Sequence, residues 1–167
     1  MDLYLVRHAI AFDADTTRWP DDKDRPLTPQ GEKRFRRAAR GLARLVTNLD
    51  TVLSSPYTRA WQTAELLADD AKWPKPQACE ALEPGRMPAA TLQVLQDYPS
   101  SARLALVGHE PTLHELVSYL LTAETGHVKV EFRKGGVARL SVPGAVRPGA
   151  AVMLWLLAPK VLRELAS

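Results

Sequence analysis

The feature that most constrains this chain is a repeated junction. A short, wholly apolar run stops at a polar or basic residue where a helix or loop takes over. Leu3-Tyr4-Leu5-Val6 ends in Arg7-His8, Thr51-Val52-Leu53 ends in Ser54-Ser55, and Leu104-Ala105-Leu106-Val107 ends in Gly108-His109. Runs without polar alternation are strands buried on both faces, which is the habit of parallel sheets covered by helices. Helical patterns fall between them. Thr28-Pro29 is a cap followed by a first-turn proline, and Phe35, Ala38, Ala39, Leu42, Leu45 and Val46 recur at helical spacing. Ser55-Pro56 reads as the cap and first residue of a second helix, with Ala60, Trp61, Ala64, Leu67 and Ala68 as its apolar face. Pro88 to Tyr98, Pro111 to Leu121 and Pro159 to Leu165 read as further helices. Gln77 to Leu82, Val137 to Val142 and Ala151 to Leu157 read as strands. The pattern implies an α/β fold, a three-layer α/β/α sandwich with a mostly parallel central sheet and an antiparallel strand near the end.

In such sheets ligands bind beyond the carboxyl ends of the strands. If the three buried runs are parallel, Arg7, His8, Ser55 and His109 reach one edge, with Arg59 close behind at a helix start. Arginine guanidinium groups match pairs of phosphoryl oxygens, and a helix start favours an anion. An imidazole can attack phosphorus and carry the group as phosphohistidine. Arg7, His8, Arg59 and His109 are therefore read as one phosphate-handling site. His8 is its nucleophile, Arg7 and Arg59 are its clamps, and His109 is a donor that adds charge when protonated.

Composition bounds the alternatives. At 167 residues, 46% apolar and 25% charged, the chain suits one globular domain over 1–167. A net charge of +3 is mildly basic and suits an anionic substrate, without the concentrated stripe that nucleic acid demands. The one cysteine, Cys79, excludes an internal disulfide and fits a cytoplasmic setting. The longest apolar run, Ala150 to Ala158, is far below the ~20 residues of a membrane helix. His109-Glu110-Pro111-Thr112-Leu113-His114 is near the helical zinc motif, but its histidines are five apart instead of four and would diverge around a helix. No metal is expected, and no serine-hydrolase elbow is present. The polar loop Phe12 to Pro26 lacks the ligand spacing of a calcium loop and reads as solvated. Lys33, Arg34, Arg36, Arg37, Arg40 and Arg44 read as the solvated face of the first long helix.

Four blocks in order carry a family resemblance. Leu5-Val6-Arg7-His8-Ala9 resembles the Arg-His-Gly/Ala signature of the histidine phosphatase (phosphoglycerate mutase-like) superfamily. Arg25-Pro26-Leu27-Thr28-Pro29-Gln30-Gly31 resembles its Leu-Thr-x-x-Gly helix entry. Ser54-Ser55-Pro56-Tyr57-Thr58-Arg59-Ala60-Trp61-Gln62-Thr63-Ala64 is similar to its second block, and Val107-Gly108-His109-Glu110-Pro111 to its third. The short length resembles the compact SixA-type phosphohistidine phosphatases. That resemblance implies a phosphohistidine-forming His8, phosphate clamping by Arg7, Arg59 and His109, and no metal or organic cofactor. Larger members use a carboxylic acid between the second and third blocks, and Glu83 is the candidate proton donor here, with Glu110 an alternative. An imidazole leaves phosphorus more readily than an alkoxide, so a phosphohistidine substrate needs that acid less. The expected partner is a phosphohistidine-bearing protein. A small phosphate ester, such as a sugar or nucleotide phosphate, is the alternative, and a non-catalytic phosphate-binding module is the third. A mutase is the poorest fit, since no insertion is long enough to enclose a substrate through a second transfer.

Overall fold

The computed structural model describes residues 1–166. The strands are β1 (Asp2–Arg7), β2 (Thr51–Ser54), β3 (Pro76–Ala78), β4 (Arg103–Gly108), β5 (Val137–Ser141) and β6 (Val152–Leu157). The helices are α1 (Pro29–Ala43), α2 (Thr58–Asp70), α3 (Pro88–Gln96), α4 (Thr112–Thr122) and α5 (Pro159–Leu165). Short 3-10 turns cover Asp22–Asp24 and Glu80–Leu82. The strands form one six-stranded sheet in the order β3-β2-β4-β1-β5-β6. β3, β2, β4 and β1 are parallel, β5 runs antiparallel to β1, and β6 reverses again. This is the expected α/β/α sandwich with a mostly parallel sheet.

Side chains alternate across the sheet, so each buried strand feeds two cores. Leu3, Leu5, Leu104, Leu106 and Leu140 pack with Leu92, Leu95, Leu113 and Leu116 of α3 and α4. Tyr4, Val6, Val52, Ala105, Val107 and Val137 pack on the opposite face with α1, α2 and Leu162 of α5. Both faces are covered, which is why these runs show no polar alternation. Gly41 lets α1 lie directly on α5, because a Cβ there would clash with the Leu162 carbonyl.

Several expected boundaries move. Thr28 does cap α1, its hydroxyl accepting from Gly31 N–H at 2.9 Å. The helix stops at Ala43, so Val46 is buried from the loop beyond it and Leu45 is exposed. The strand expected over Gln77 to Leu82 is β3 followed by the Glu80–Leu82 turn. Ser55 does not cap the second helix. α2 starts at Thr58 after Tyr57, without a side-chain cap, and Ser55 continues the ladder of β2 through its N–H to the Val107 carbonyl at 2.9 Å.

Candidate active site

Strand register levels the three junctions. Arg7 lies opposite Gly108 between β1 and β4, and Ser54 lies opposite Val107 between β2 and β4. The His8 N–H donates to the Gly108 carbonyl at 3.0 Å, which fixes the chain where β1 ends. His8, His109, Ser55 and Arg59 are all buried, at 6%, 2%, 0% and 4% exposure. The His8 and His109 rings lie 5.2 Å apart between centroids. The expected site residues thus meet at the carboxyl edge of the sheet.

His8 is held in one tautomer. Its Nδ1 lies 2.7 Å from the Ala9 carbonyl, which can only accept, so Nδ1 carries the hydrogen and Nε2 keeps its lone pair. Burial lowers the pKa to about 3; the Ala9 bond opposes the shift, and the positive charges of Arg59, Arg7 and Lys134 reinforce it. Near neutral pH the ring is an uncharged base. Neighbours fix its backbone. Ala9 N–H donates to the Thr63 hydroxyl at 3.0 Å, and that hydroxyl donates to the Arg59 carbonyl at 2.7 Å. The next residue, Ile10, accepts from Thr28 N–H at 3.0 Å, tying the start of α1 to the loop that follows His8. Gly31 is needed there because any Cβ would strike the Ile10 carbonyl. Gly135 N–H donates to the carbonyls of Arg7 and His8 at 3.1 and 3.0 Å from a left-handed turn (φ +78°) that favours glycine.

Arg7 donates from Nη1 to the Phe132 carbonyl at 2.6 Å. Arg59 donates to the Asp22 carbonyl at 2.9 Å and meets the Asp22 carboxylate at 3.0 Å. Its guanidinium also lies 5.3 Å from the centre of the Tyr57 ring. Burial pushes both arginines below their usual pKa, with Glu110 opposing at Arg7 and Asp22 opposing at Arg59. Arg7 Nε, Arg59 Nε and His109 Nδ1 are buried without hydrogen-bond partners. Buried donors and cations without acceptors are costly, and the oxygens of an anion would supply the acceptors these atoms lack.

His109 Nε2 lies 2.9 Å from the Ser55 hydroxyl. That hydroxyl oxygen accepts from Tyr57 N–H at 3.3 Å, and when its own hydrogen goes to His109 Nε2 the ring hydrogen sits on Nδ1. Burial first, then the charges of His8 and nearby arginines, lower the His109 pKa to about 2. His109 is therefore neutral in this state, and the charge it would add when protonated is absent. Gln62, Thr63 and Asp22 carry no site role in the sequence reading, and Ser55 enters it only as a helix start at the site edge. Ser55 and Thr63 position His109 and His8, and Gln62 accepts from Leu27 N–H at 2.8 Å, holding the entry to α1. The signal for three of them was the second block itself, which contains Ser55, Gln62 and Thr63 together.

Glu83 follows the Glu80–Leu82 turn, and its carboxylate is engaged by Arg86 at 2.9 Å. Glu110 sits one residue past His109 with its Oε1 buried and unpartnered, and burial raises its pKa against the opposing charge of Arg7. His114 lies 2.6 Å from the Val128 carbonyl, away from the Ser55 partner of His109. Among the described residues no three histidine, cysteine or carboxylate side chains gather as a metal site, and no helix is long and apolar enough to cross a membrane.

Comparisons with known proteins agree with this geometry. The profile of the Histidine phosphatase superfamily (branch 1) matches residues 3–83. An uncharacterized protein of Picosynechococcus sp. is 39% identical over 90% of this chain and 87% of its own length. The chain belongs to the histidine phosphatase superfamily. An uncharacterized protein of Mycobacterium tuberculosis is 30% identical over 85% of this chain and 96% of its own. A solved structure of the protein histidine phosphatase SixA with tungstate superposes with a TM-score of 0.82 at 26% identity, covering 97% of this chain and 99% of that one. The superfamily profile ends before His109, and the structural likeness spans the third block as well. These likenesses support a phosphatase, in the compact SixA-like form.

Proposed function

We propose that His8 Nε2 is the nucleophile of a phosphatase whose substrate is phosphohistidine on a protein. The observation that carries this reading is the Nδ1 bond to the Ala9 carbonyl, which leaves an uncharged Nε2 among Arg7, Arg59 and His109. In the first step Nε2 forms a bond to phosphorus while the P–N bond to the substrate imidazole breaks, and the departing imidazole takes a proton from solvent. In the second step water attacks the His8 phosphoryl group, releasing inorganic phosphate and restoring the free imidazole. Arg7 and Arg59 stabilise the oxygens whose charge grows, and His109 Nδ1–H donates to one of them.

The substrate choice rests on three supports. The Glu83 carboxylate is paired with Arg86, a contact that a proton donor to an alkoxide would have to leave. Among the described residues no connection holds an inserted helical region, and the long one between β1 and α1 carries only the Asp22–Asp24 turn. It is similar to the protein histidine phosphatase SixA, a structure solved with tungstate, an oxyanion of phosphate-like shape.

The test is phosphate release from a phosphohistidine-bearing protein beside sugar and nucleotide phosphates, with His8→Ala and Glu83→Gln. Release from the phosphohistidine protein should vanish in His8→Ala and stay within about twofold in Glu83→Gln, the range of a residue without a proton-transfer task. Release from esters only, lost in Glu83→Gln, would replace this substrate with a small phosphomonoester. Release that survives His8→Ala would remove the nucleophile assignment.

A further inference from the structure

A cleft opens beside the loop that follows His8. Its volume is about 280 Å³, and Ala9 and Ile10 form part of its wall, so it begins one residue past His8. Arg34 of α1, Arg133 and Lys134 of the turn before β5, and Lys160 and Arg163 of α5 also line it. No carboxylate is among its lining residues. Topology explains the gathering: β1 and β6 run the same way, so the residues after each of them and the turn entering β5 reach one edge.

Arg133 pairs with the exposed Glu131 at 3.0 Å. Arg34, Lys134, Lys160 and Arg163 have no ion-pair partner among the described residues. Like charges held together without counter-charges oppose folding, so the arrangement has a cost that an anionic ligand removes. Arg34, Arg133, Lys134 and Lys160 are exposed and Arg163 is half-buried. That exposure discriminates between ligands. A small anion needs desolvated walls for affinity, and solvated cations give it little. An acidic protein surface gains from many solvated cations at once, chiefly through steered association.

We propose that this cleft is an exosite for carboxylate side chains flanking the phosphohistidine of a protein substrate, and that it orients the phosphoryl group toward His8. The inference rests on the phosphohistidine reading above. It adds that selection among phosphoproteins is made by charge beside the site, and that it acts on association more than on chemistry.

The experiment uses the full chain and three substrates. Two are synthetic phosphohistidine peptides of one sequence, flanked by four glutamates in one and four glutamines in the other. The third is phosphoramidate, a small P–N compound too short to reach the cleft. The variants are Lys160→Glu with Arg163→Glu on α5, and Arg34→Glu on α1. The unsubstituted protein should prefer the glutamate peptide about tenfold in kcat/KM, with the preference shrinking as salt rises. Either variant should lose that preference while keeping phosphoramidate turnover. Equal turnover of the two peptides by the unsubstituted protein overturns the exosite alone. A preference that survives both variants also overturns it. Turnover of phosphoramidate with neither peptide overturns both the exosite and the phosphohistidine-protein reading. Loss of phosphoramidate turnover in both variants overturns the exosite by making the cleft part of the catalytic site.

Discussion

Arg7 and Arg59 are both expected to hold the phosphoryl group, yet the structure secures them differently. Arg7 ends a central strand, and its guanidinium is fixed on a backbone carbonyl, that of Phe132. Arg59 sits in the first turn of α2, and its guanidinium is held from the Phe12–Pro26 loop by the carbonyl and carboxylate of Asp22. One clamp is anchored to the frame, and the other shares its charge with an anion of the chain itself. The comparison separates what folding fixes from what a substrate must displace.

The largest test of that difference is Arg59→Lys. A lysine keeps the charge but loses the planar fork that reaches two oxygens and Asp22 together. Turnover should fall about 100-fold, the usual scale for removing one donor aimed at transition-state charge. If Arg59→Lys retains most of the activity, Arg7 carries the clamp alone and the pairing is broken.

The next effect is on stability. His8 and His109 titrate near 3 and 2 in the folded chain, against 6.5 for the free side chain. Below pH 6.5 the unfolded chain binds protons that the folded chain refuses, so stability falls as pH falls until the folded values are reached. Each histidine should withdraw about 2 kcal/mol between pH 6.5 and about pH 5. Urea midpoints at pH 7.5 and 5 measure the loss, and a His8→Asn/His109→Asn protein should lose much less over that interval. Matching losses in the two proteins would mean that the histidines are not held neutral by burial. For turnover, the same values predict no acid limb near pH 6.5 from His8.

How much of this could be read in the chain follows the same division. The anchored part was legible because it is local. Apolar runs ending in Arg7-His8 and Gly108-His109 mark strand ends, and parallel register does the rest. The buried α/β/α core was legible for a similar reason, since strands covered on both faces have no polar side. Ser55 was misassigned because Ser-Pro before a helix usually reads as a cap, whereas here the hydroxyl is committed to His109 and the backbone still belongs to the sheet. Asp22 was not legible at all. It lies in a loop with no period, among several aspartates, and its contact with Arg59 spans 37 positions. The sequence left the charge of His109 open, because burial, not residue type, sets it.

The smallest effect belongs to Asp22 and decides whether it competes with substrate or only braces Arg59. Its side chain is 51% exposed, so its pair with Arg59 is screened. Burial acting alone would raise the Asp22 pKa, but hydrogen bonding and charge from Arg25 and Arg59 outweigh it and bring the pKa below its usual value. The carboxylate is thus ionised at neutral pH and rivals a phosphoryl oxygen for the same guanidinium. Asp22→Asn removes the rival charge and leaves the backbone carbonyl that also holds Arg59. A pair this exposed is worth at most about 1 kcal/mol, so inorganic phosphate should inhibit up to about fivefold more tightly, with kcat little changed. A weaker phosphate affinity in Asp22→Asn would show instead that the carboxylate organises Arg59 for the anion, and both arginines would then be fixed parts of the frame.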